Sequence, residues 1–375
     1  MKKIHMVDVV SEYNKYSEQI NERIQNVLNS GVYIQGSEVQ QLEQELSVFL
    51  NSKYTITCGN GTDALCLALM ALDLKQGDEV ILPPFTFVST IEAVCLLGLK
   101  PVFVDVQCDS FLLDPELIEQ KISNNTKVIL PVHLFGQCCN MKHIKLIAKK
   151  YNLFIIEDAA QSIGAQCFYN KDAKNMKCSG TIGDIGITSF YPSKNLGCYG
   201  DGGAVFTQNK KLAHRIRLLA NHGQEKKYVH KIVGFNSRLD ALQATILRFK
   251  LSILNKSNKK RRKVAAEYNH ILKSIEWITT PVESACSDHV YHQYSIILSS
   301  NIDRDKFQKF LLNAGIPTMI YYPIPLHQQQ PYKHFSNEPL PVSEMLSQHI
   351  ISLPMHPELE IEQIHFICDV IKKYI

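Results

Sequence analysis

The sequence predicts an α/β fold, and three observations carry that prediction. Short runs that are apolar almost throughout alternate with stretches of helical periodicity along the first two thirds of the chain. Strands of that kind belong to a mostly parallel sheet covered on both faces. Successive runs are separated by stretches with about ten residues of helical pattern, as in βαβ units. The chain has 375 residues, enough for two or three domains of about 100–200 residues and a substantial core.

Residues 37–50 open with Ser37 and Gln40 at capping-box spacing and place Val39, Leu42, Leu46 and Phe49 on one stripe, which predicts an amphipathic helix. Then follow a strand at 54–58, a helix at 64–72, a strand at 79–82, a helix at 87–97 and a strand at 101–106. The alternation continues with helix 114–122, strand 127–133, helix 141–151 and strand 153–157. From Gly186 onward, strands at 187–191 and 204–207 flank a Gly-rich stretch and predict a hairpin-like insertion. A helix at 211–220, a polar loop and a long helical region from about 238 to 272 come next. The rest mixes a strand at 294–298, a helix at 303–314 and connections around Pro317, Pro323 and Pro325. It predicts a smaller α+β domain over 251–375, after a large α/β domain with N-terminal helices over 1–250.

Composition narrows the class. Hydrophobic residues make up 45% and charged residues 20%, which disfavours disorder, collagen-like repeats and coiled-coil rods. Forty basic against 36 acidic residues leave +4, too small a surplus to imply nucleic acid or an anionic membrane. The basic run Lys256, Lys259, Lys260, Arg261, Arg262 and Lys263 reads as a solvated helix face, because the chain as a whole is near neutral. No apolar run approaches the length of about 18 residues that spans a bilayer, and His5 and Asp8 interrupt the start before a signal-peptide core develops. The expected location is the cytoplasm, with no membrane partner. The 11 cysteines are odd in number and lack CxxC or zinc-module spacing, so they read as free thiols with no metal site. The neighbours Cys138 and Cys139 point apart on a strand and do not change this.

Ligands of α/β sheets sit beyond the carboxyl ends of the strands. Four such positions carry suitable chemistry. Gly59-Asn60-Gly61-Thr62-Asp63 lies between a strand and a helix, where free amides and a hydroxyl attract phosphate; a plain turn fits as well. It matches neither GxxxxGK[ST] nor GxGxxG. In Glu157-Asp158-Ala159-Ala160-Gln161 a carboxylate could cap the next helix or hold a cationic partner. Lys194 follows Ser189-Phe190-Tyr191-Pro192-Ser193; lysines are ordinarily solvated, but partial desolvation at a strand exit frees the amine to attack carbonyls. Arg238, in Gly234-Phe235-Asn236-Ser237-Arg238, could clamp a carboxylate bidentately or pair with a structural one.

Together these are the parts of a pyridoxal phosphate site. In order and spacing the chain resembles the DegT/DnrJ/EryC1/StrS family of sugar aminotransferases, of the aspartate-aminotransferase-like fold type I. The resemblance rests on GVYIQGSEVQQLEQEL, NGTDAL, GDEVILPPFTFVSTIEAV, PVFVDV, PVHLFGQ, IIEDAAQSIGA, GDIGITSFYPSKNLGCYGDGGAVFT and GFNSRLDALQA, across residues 31–247, with YYPIPLH at 321–327 beyond. It implies pyridoxal 5′-phosphate as cofactor, Lys194 as the lysine that holds it and moves the proton, and Asp158 on its pyridinium nitrogen. Gly61, Thr62, Asp63 and Ser189 would meet the phosphate, Gln161 would lie beside the ring, and Phe87 would stack on it. Asn236 would reach the cofactor of a neighbouring subunit, which implies a homodimer with shared sites.

Within the family, SKNLGCYGDGGAVFT, HGQEKKYVHKIVGFNSRLDALQA and YYPIPLH are most similar to the subgroup that aminates the 3-keto group of UDP-2-acetamido-2-deoxy-3-oxo-D-glucuronate with glutamate, for bacterial surface polysaccharide such as O-antigen. In that subgroup Arg238 would meet the carboxylates of both substrates, and Tyr321, His327 and the loop 224–231 would contact the nucleotide sugar. The alternative is an aminotransferase for a UDP- or dTDP-4-keto-6-deoxy sugar. A branch of the family that dehydrates sugars has histidine in place of the lysine, and Lys194 argues against it. A silent scaffold is disfavoured by intact Lys194 and Asp158.

Overall fold

Two helices open the chain, α1 (Val9–Ser30) and α2 (Gly36–Leu50). The sheet-forming stretch runs β1 (Tyr54–Cys58), α3 (Gly61–Ala71), β2 (Glu79–Leu82), α4 (Ser89–Leu96), β3 (Lys100–Phe103), β4 (Thr126–Ile129), α5 (Met141–Tyr151) and β5 (Phe154–Asp158). A side ribbon of β6 (Gln166–Phe168) and β7 (Met176–Cys178) precedes β8 (Ile185–Ser189), β9 (Gly203–Thr207) and α6 (Lys210–Leu219). A second ribbon, β10 (Gln224–Lys226) and β11 (Val229–His230), leads to α7 (Ala241–Leu272). The C-terminal part contains β12 (Ile278–Thr279), β13 (Tyr294–Leu298), α8 (Arg304–Asn313), α9 (Pro341–His349), β14 (Ile350–Leu353) and α10 (Ile361–Lys372). This computed structural model describes residues 2–168, 176–336 and 338–374.

The central sheet has seven strands in the order β1-β9-β8-β5-β4-β2-β3. β2, β3, β4, β5 and β8 pair in parallel, and β9 runs antiparallel to both its neighbours, β8 and β1. That reversal is the hairpin expected from the Gly-rich stretch. The β-branched residues Ile56, Val80, Ile81, Val128, Ile129, Ile155, Ile156, Ile185, Ile187 and Val205 all enter one core. Each side chain so buried contributes about 1.5–3 kcal/mol of transfer free energy. α5 shows the matching logic on the helix side: Met141, Ile144, Ile147 and Ala148 are buried on one stripe, while Lys149 and Lys150 lie in the last turn, at the negative end of the dipole.

α7 links this core to a second one. Its first half buries Ala244, Leu247, Leu251 and Leu254 against Leu42, Leu46 and Leu50 of α2. Its second half places Val264, Ala265, Tyr268 and Leu272 in the core under the antiparallel sheet β12-β13-β14, with Tyr294, Ile296, Phe307 and Leu353. A division at 250/251 therefore falls inside one continuous helix. Ile4, from the start of the chain, packs into the C-terminal core.

Two local expectations need correction. α2 begins one residue before Ser37, with Gln35 at φ 58 as its N-cap and no side-chain cap bond, so the Ser37/Gln40 capping box does not form. The bridge of Ile34 to Asp240 fixes how the chain enters and sets the helix start upstream. Residues 114–122 make two 3₁₀ turns, Pro115–Leu117 and Glu119–Lys121, instead of an α-helix. The segment is tied at Asp114 to the Asp105 carbonyl and at Ser123 to the Glu79 carboxylate, and tighter turns span the fixed gap.

Candidate active site

The parallel strands end along one edge, where a cavity of about 870 Å³ opens. Gly61, Thr62, Asp63, Phe87, Asp158, Gln161, Ser189, Lys194 and Tyr321 all line it.

Asp158 is the last residue of β5 and is 5% exposed. Its Oδ2 accepts from Thr90 Oγ1 at 3.1 Å and its Oδ1 from the Ala160 amide at 3.1 Å. Burial pushes its pKa up; the Ala160 amide, the charge of Lys194 and the Thr90 hydroxyl pull it back. A buried carboxylate in this balance favours a cationic partner within the cavity. Lys194 faces the same cavity from the loop after β8. Burial lowers its pKa to about 8, against the opposing attraction of Asp158. A sizeable share of its amine is therefore unprotonated near neutrality, as a nucleophile or base requires.

The first loop forms a cradle. Asn60 caps α3 by accepting the Asp63 amide at 2.8 Å, so that amide is already taken. The Asp63 carboxylate is turned away too: its Oδ2 accepts from Ser237 Oγ at 2.7 Å, and Ser237 Oγ accepts the Gly59 amide at 2.9 Å. Asp63 thus locks the cradle to the loop 234–238, and Gly61 and Thr62 are left facing the cavity. Thr62 Oγ1 and Ser89 Oγ lie 2.8 Å apart. A Cβ on Gly61 would sit 2.8 Å from Ser189 Cβ, so only glycine leaves room there. Gln161 is held at both ends, its Oε1 accepting the Phe135 amide at 2.8 Å and its Nε2 donating to Tyr322 at 3.2 Å. Phe87 is half exposed at the mouth, with its ring 6.3 Å from that of Tyr322.

Three expected contacts lie outside this lining. Asn236 is exposed and bridges to Asn221. Arg238 reaches Asn221 Oδ1 at 3.4 Å. His327 is 5% exposed; its Nε2 donates to Glu344 at 3.0 Å and its ring packs edge-on against Phe103. That internal bond anchors His327 to α9. Conversely, the cavity gathers residues not singled out from sequence, namely Thr86, Thr90, Ser89, Tyr322, His292 and Gln293. Thr86, Ser89 and Thr90 follow β2, and the strand-exit rule applied to FTFVST would have found them. His292 and Gln293 carry no local signal.

The residues present fit pyridoxal phosphate: a small-residue cradle for the phosphate, a buried carboxylate for the ring nitrogen, and an amine of lowered pKa. An edge cavity so equipped, on a sheet of this order, defines a pyridoxal-phosphate-dependent transferase of fold type I. The chain belongs to the DegT/DnrJ/EryC1/StrS aminotransferase family, which matches residues 14–372. It is therefore a sugar aminotransferase that uses pyridoxal 5′-phosphate. It is 46% identical over 365 residues to the UDP-2-acetamido-2-deoxy-3-oxo-D-glucuronate aminotransferase of Pseudomonas aeruginosa, covering 97% of this chain and 98% of that one. It is 42% identical to the UDP-N-acetyl-3-dehydro-alpha-D-glucosamine 3-aminotransferase of Acidithiobacillus ferrooxidans, with 99% and 97% covered. The crystal structure of DesV from S. venezuelae with a ketimine intermediate superposes with a TM-score of 0.94 at 35% identity, covering 100% of this chain and 99% of that one. Among the described residues no helix is long and apolar enough to cross a membrane.

Proposed function

We propose that the protein transfers the amino group of L-glutamate to the 3-keto group of UDP-2-acetamido-2-deoxy-3-oxo-D-glucuronate, in the cytoplasm, for bacterial surface polysaccharide such as O-antigen. The observation that carries the chemistry is that Lys194 and Asp158 face one cavity and are electrostatically coupled across it. The substrate assignment is supported by the 46% identity with the Pseudomonas aeruginosa enzyme over nearly the whole of both chains.

When bound, the cofactor supplies an electron sink for the charge left at the substrate carbon. Asp158, fixed by Thr90 and the Ala160 amide, holds a proton on the ring nitrogen and so keeps that sink strong. The Lys194 amine takes the proton from the substrate carbon of the donor and returns one to the acceptor; its pKa of about 8 suits both tasks near neutral pH. Gly61, Thr62, Ser89 and Ser189 orient the phosphate end, and Phe87 and Tyr322 keep water from the ring.

Glutamate, uronate and diphosphate are all anionic, yet among the described lining residues Lys194 is the one lysine or arginine. The missing charges are proposed to come from a second copy, through Arg238 and the ribbon β10–β11 with Lys226, Lys227, His230 and Lys231, with the Asn236 amide as an uncharged contact beside them. On that ribbon Tyr228 is 81% exposed, and nearby Val233 is 89% exposed, an apolar surface suited to an obligate homodimer. The test is an acceptor panel with glutamate as donor. Amination of the UDP-3-keto uronate well above dTDP- or UDP-4-keto-6-deoxy sugars supports the assignment; the reverse preference sinks it and favours the 4-amino reading.

A further inference from the structure

Asn258 sits on α7 where the helix passes from one core to the other, with Leu254 a turn before it in the first and Val264 after it in the second. It is 1% exposed. An amide buried between apolar cores costs free energy unless it is hydrogen-bonded, and a leucine would fill the same space without that cost. What the amide adds is direction. Its Nδ2 donates to the Ile163 carbonyl at 3.2 Å, and its Oδ1 accepts from Asn195 Nδ2 at 2.9 Å. A carbonyl only accepts, so the Ile163 bond fixes which end of the Asn258 amide points where. The fit is close, because a Cβ on Gly164, at φ 87, would lie 2.8 Å from Asn258 Nδ2.

The two ends of this bridge lead to the two charged groups that face each other in the cavity. Asn195 follows Lys194 directly in the chain, and its Nδ2 also donates to the Val290 carbonyl at 3.0 Å. The Lys194 amide donates to the Tyr191 carbonyl at 2.8 Å, so the lysine backbone is held on both sides. Ile163 lies on the turn that follows Asp158, and that turn is closed on itself. The Ala160 amide bonds to the Asp158 carboxylate, and the Ser162 amide donates to the Ala159 carbonyl at 3.1 Å. The same turn carries Gln161, held by Phe135 and Tyr322. One turn further along α7 the buried Arg261 donates to the Tyr291 and Met355 carbonyls at 3.2 and 3.1 Å, which fixes the helix beside Asn258.

We propose that Asn258 is a positioning residue for the reaction: by bridging Asn195 and Ile163 it sets the distance and orientation between the loop that carries Lys194 and the turn that carries Asp158. This rests on the roles of Lys194 and Asp158 given above. In those roles the amine meets the substrate carbon and the carboxylate meets the ring nitrogen, at opposite ends of one rigid group. A shift of about 1 Å between the two backbones misplaces one of them and can cost about 100-fold in rate.

Asn258→Leu removes both hydrogen bonds at similar volume, and Val264→Ala, on the same helix but in the C-terminal core, is the control for lost stability alone. The holoenzymes are mixed with excess L-glutamate, protiated or α-deuterated. The limiting rate of visible-band loss and the half-saturating glutamate concentration are measured beside the melting temperature. N258L should lose about tenfold or more in limiting rate relative to V264A, with half-saturation within about twofold of wild type. Its deuterium effect should be at least that of wild type, because proton transfer is the step that is slowed. V264A should melt lower and keep a wild-type rate. A smaller loss in N258L, a loss whose deuterium effect disappears, or a rise in half-saturating glutamate alone would overturn the proposal. If N258L yields no holoenzyme, Asn195→Ala, which opens the bridge from its other end, decides: a loss of about tenfold or more supports the proposal and a smaller one refutes it. Wild type that shows no band loss with glutamate fails the functional reading instead, before Asn258 is at issue.

Discussion

Thr90 donates a 3.1 Å hydrogen bond to Oδ2 of Asp158, joining the helix after β2 to the carboxylate at the end of β5. The bond holds the ionised form of a group that burial otherwise pushes toward protonation. Replacing Thr90 by Val keeps the shape and removes the donor. A hydrogen bond to a charged group is worth about 1.5–3 kcal/mol, so kcat should fall about tenfold or more. In the role proposed for it, Asp158 must be ionised, and activity is expected to be lost as pH falls through its raised pKa. T90V should therefore move the acid limb of the rate profile to higher pH, as steady-state kinetics across pH would show.

The lysine gives a second pH dependence. In the proposed role its free amine is the active form and prevails above about 8, so the proton-transfer rate should climb as pH rises through that value and then level off. Stopped-flow with α-deuterated glutamate isolates the step: a deuterium effect on the rising limb supports the assignment, and a rate falling across the same interval contradicts it.

Gly61 is tested by volume. Gly61→Ala puts a Cβ 2.8 Å from that of Ser189, and overpacking of this kind costs about 1–3 kcal/mol. The variant should melt lower and lose cofactor on dialysis. Ser189→Gly in the same chain removes the opposing carbon and should recover part of the melting temperature, a coupling that only a direct contact produces.

Much of this site is legible in the sequence because its chemistry sits at strand ends. Asp158 closes an apolar run, Lys194 follows another, and the GNGTD turn opens a helix. The rest depends on pairings that spacing does not encode. Asn195 and His292 meet across 97 positions, and Ser237 reaches Asp63 across 174. His327 of YYPIPLH pairs with Glu344, 17 residues on. The bounds of α1 are not legible in the sequence, because only Ile20 and Val27 of its 22 residues are buried, too few to mark a stripe. α10 had a true capping box, Glu360 with Gln363, whereas the one anticipated at Ser37 does not form.

The proposed sharing of the site between two copies makes a subunit-mixing prediction. Lys194→Ala and Arg238→Ala should each be nearly inactive alone. If the two residues serve one site from different copies, an equimolar refolded mixture should recover about a quarter of wild-type activity, because half the two-fold dimers are hybrids with one intact site. No recovery would place Arg238 in its own subunit's site or outside catalysis.

The most direct measurement is the visible spectrum of the purified protein and of Lys194→Ala, each recorded before and after L-glutamate, with 2-oxoglutarate quantified. Wild type should be yellow, lose its band on glutamate addition and release one 2-oxoglutarate per site. K194A should bind the cofactor and form no 2-oxoglutarate at a comparable rate. A wild-type band that glutamate leaves unchanged, or a K194A protein that releases 2-oxoglutarate as fast as wild type, would contradict the account.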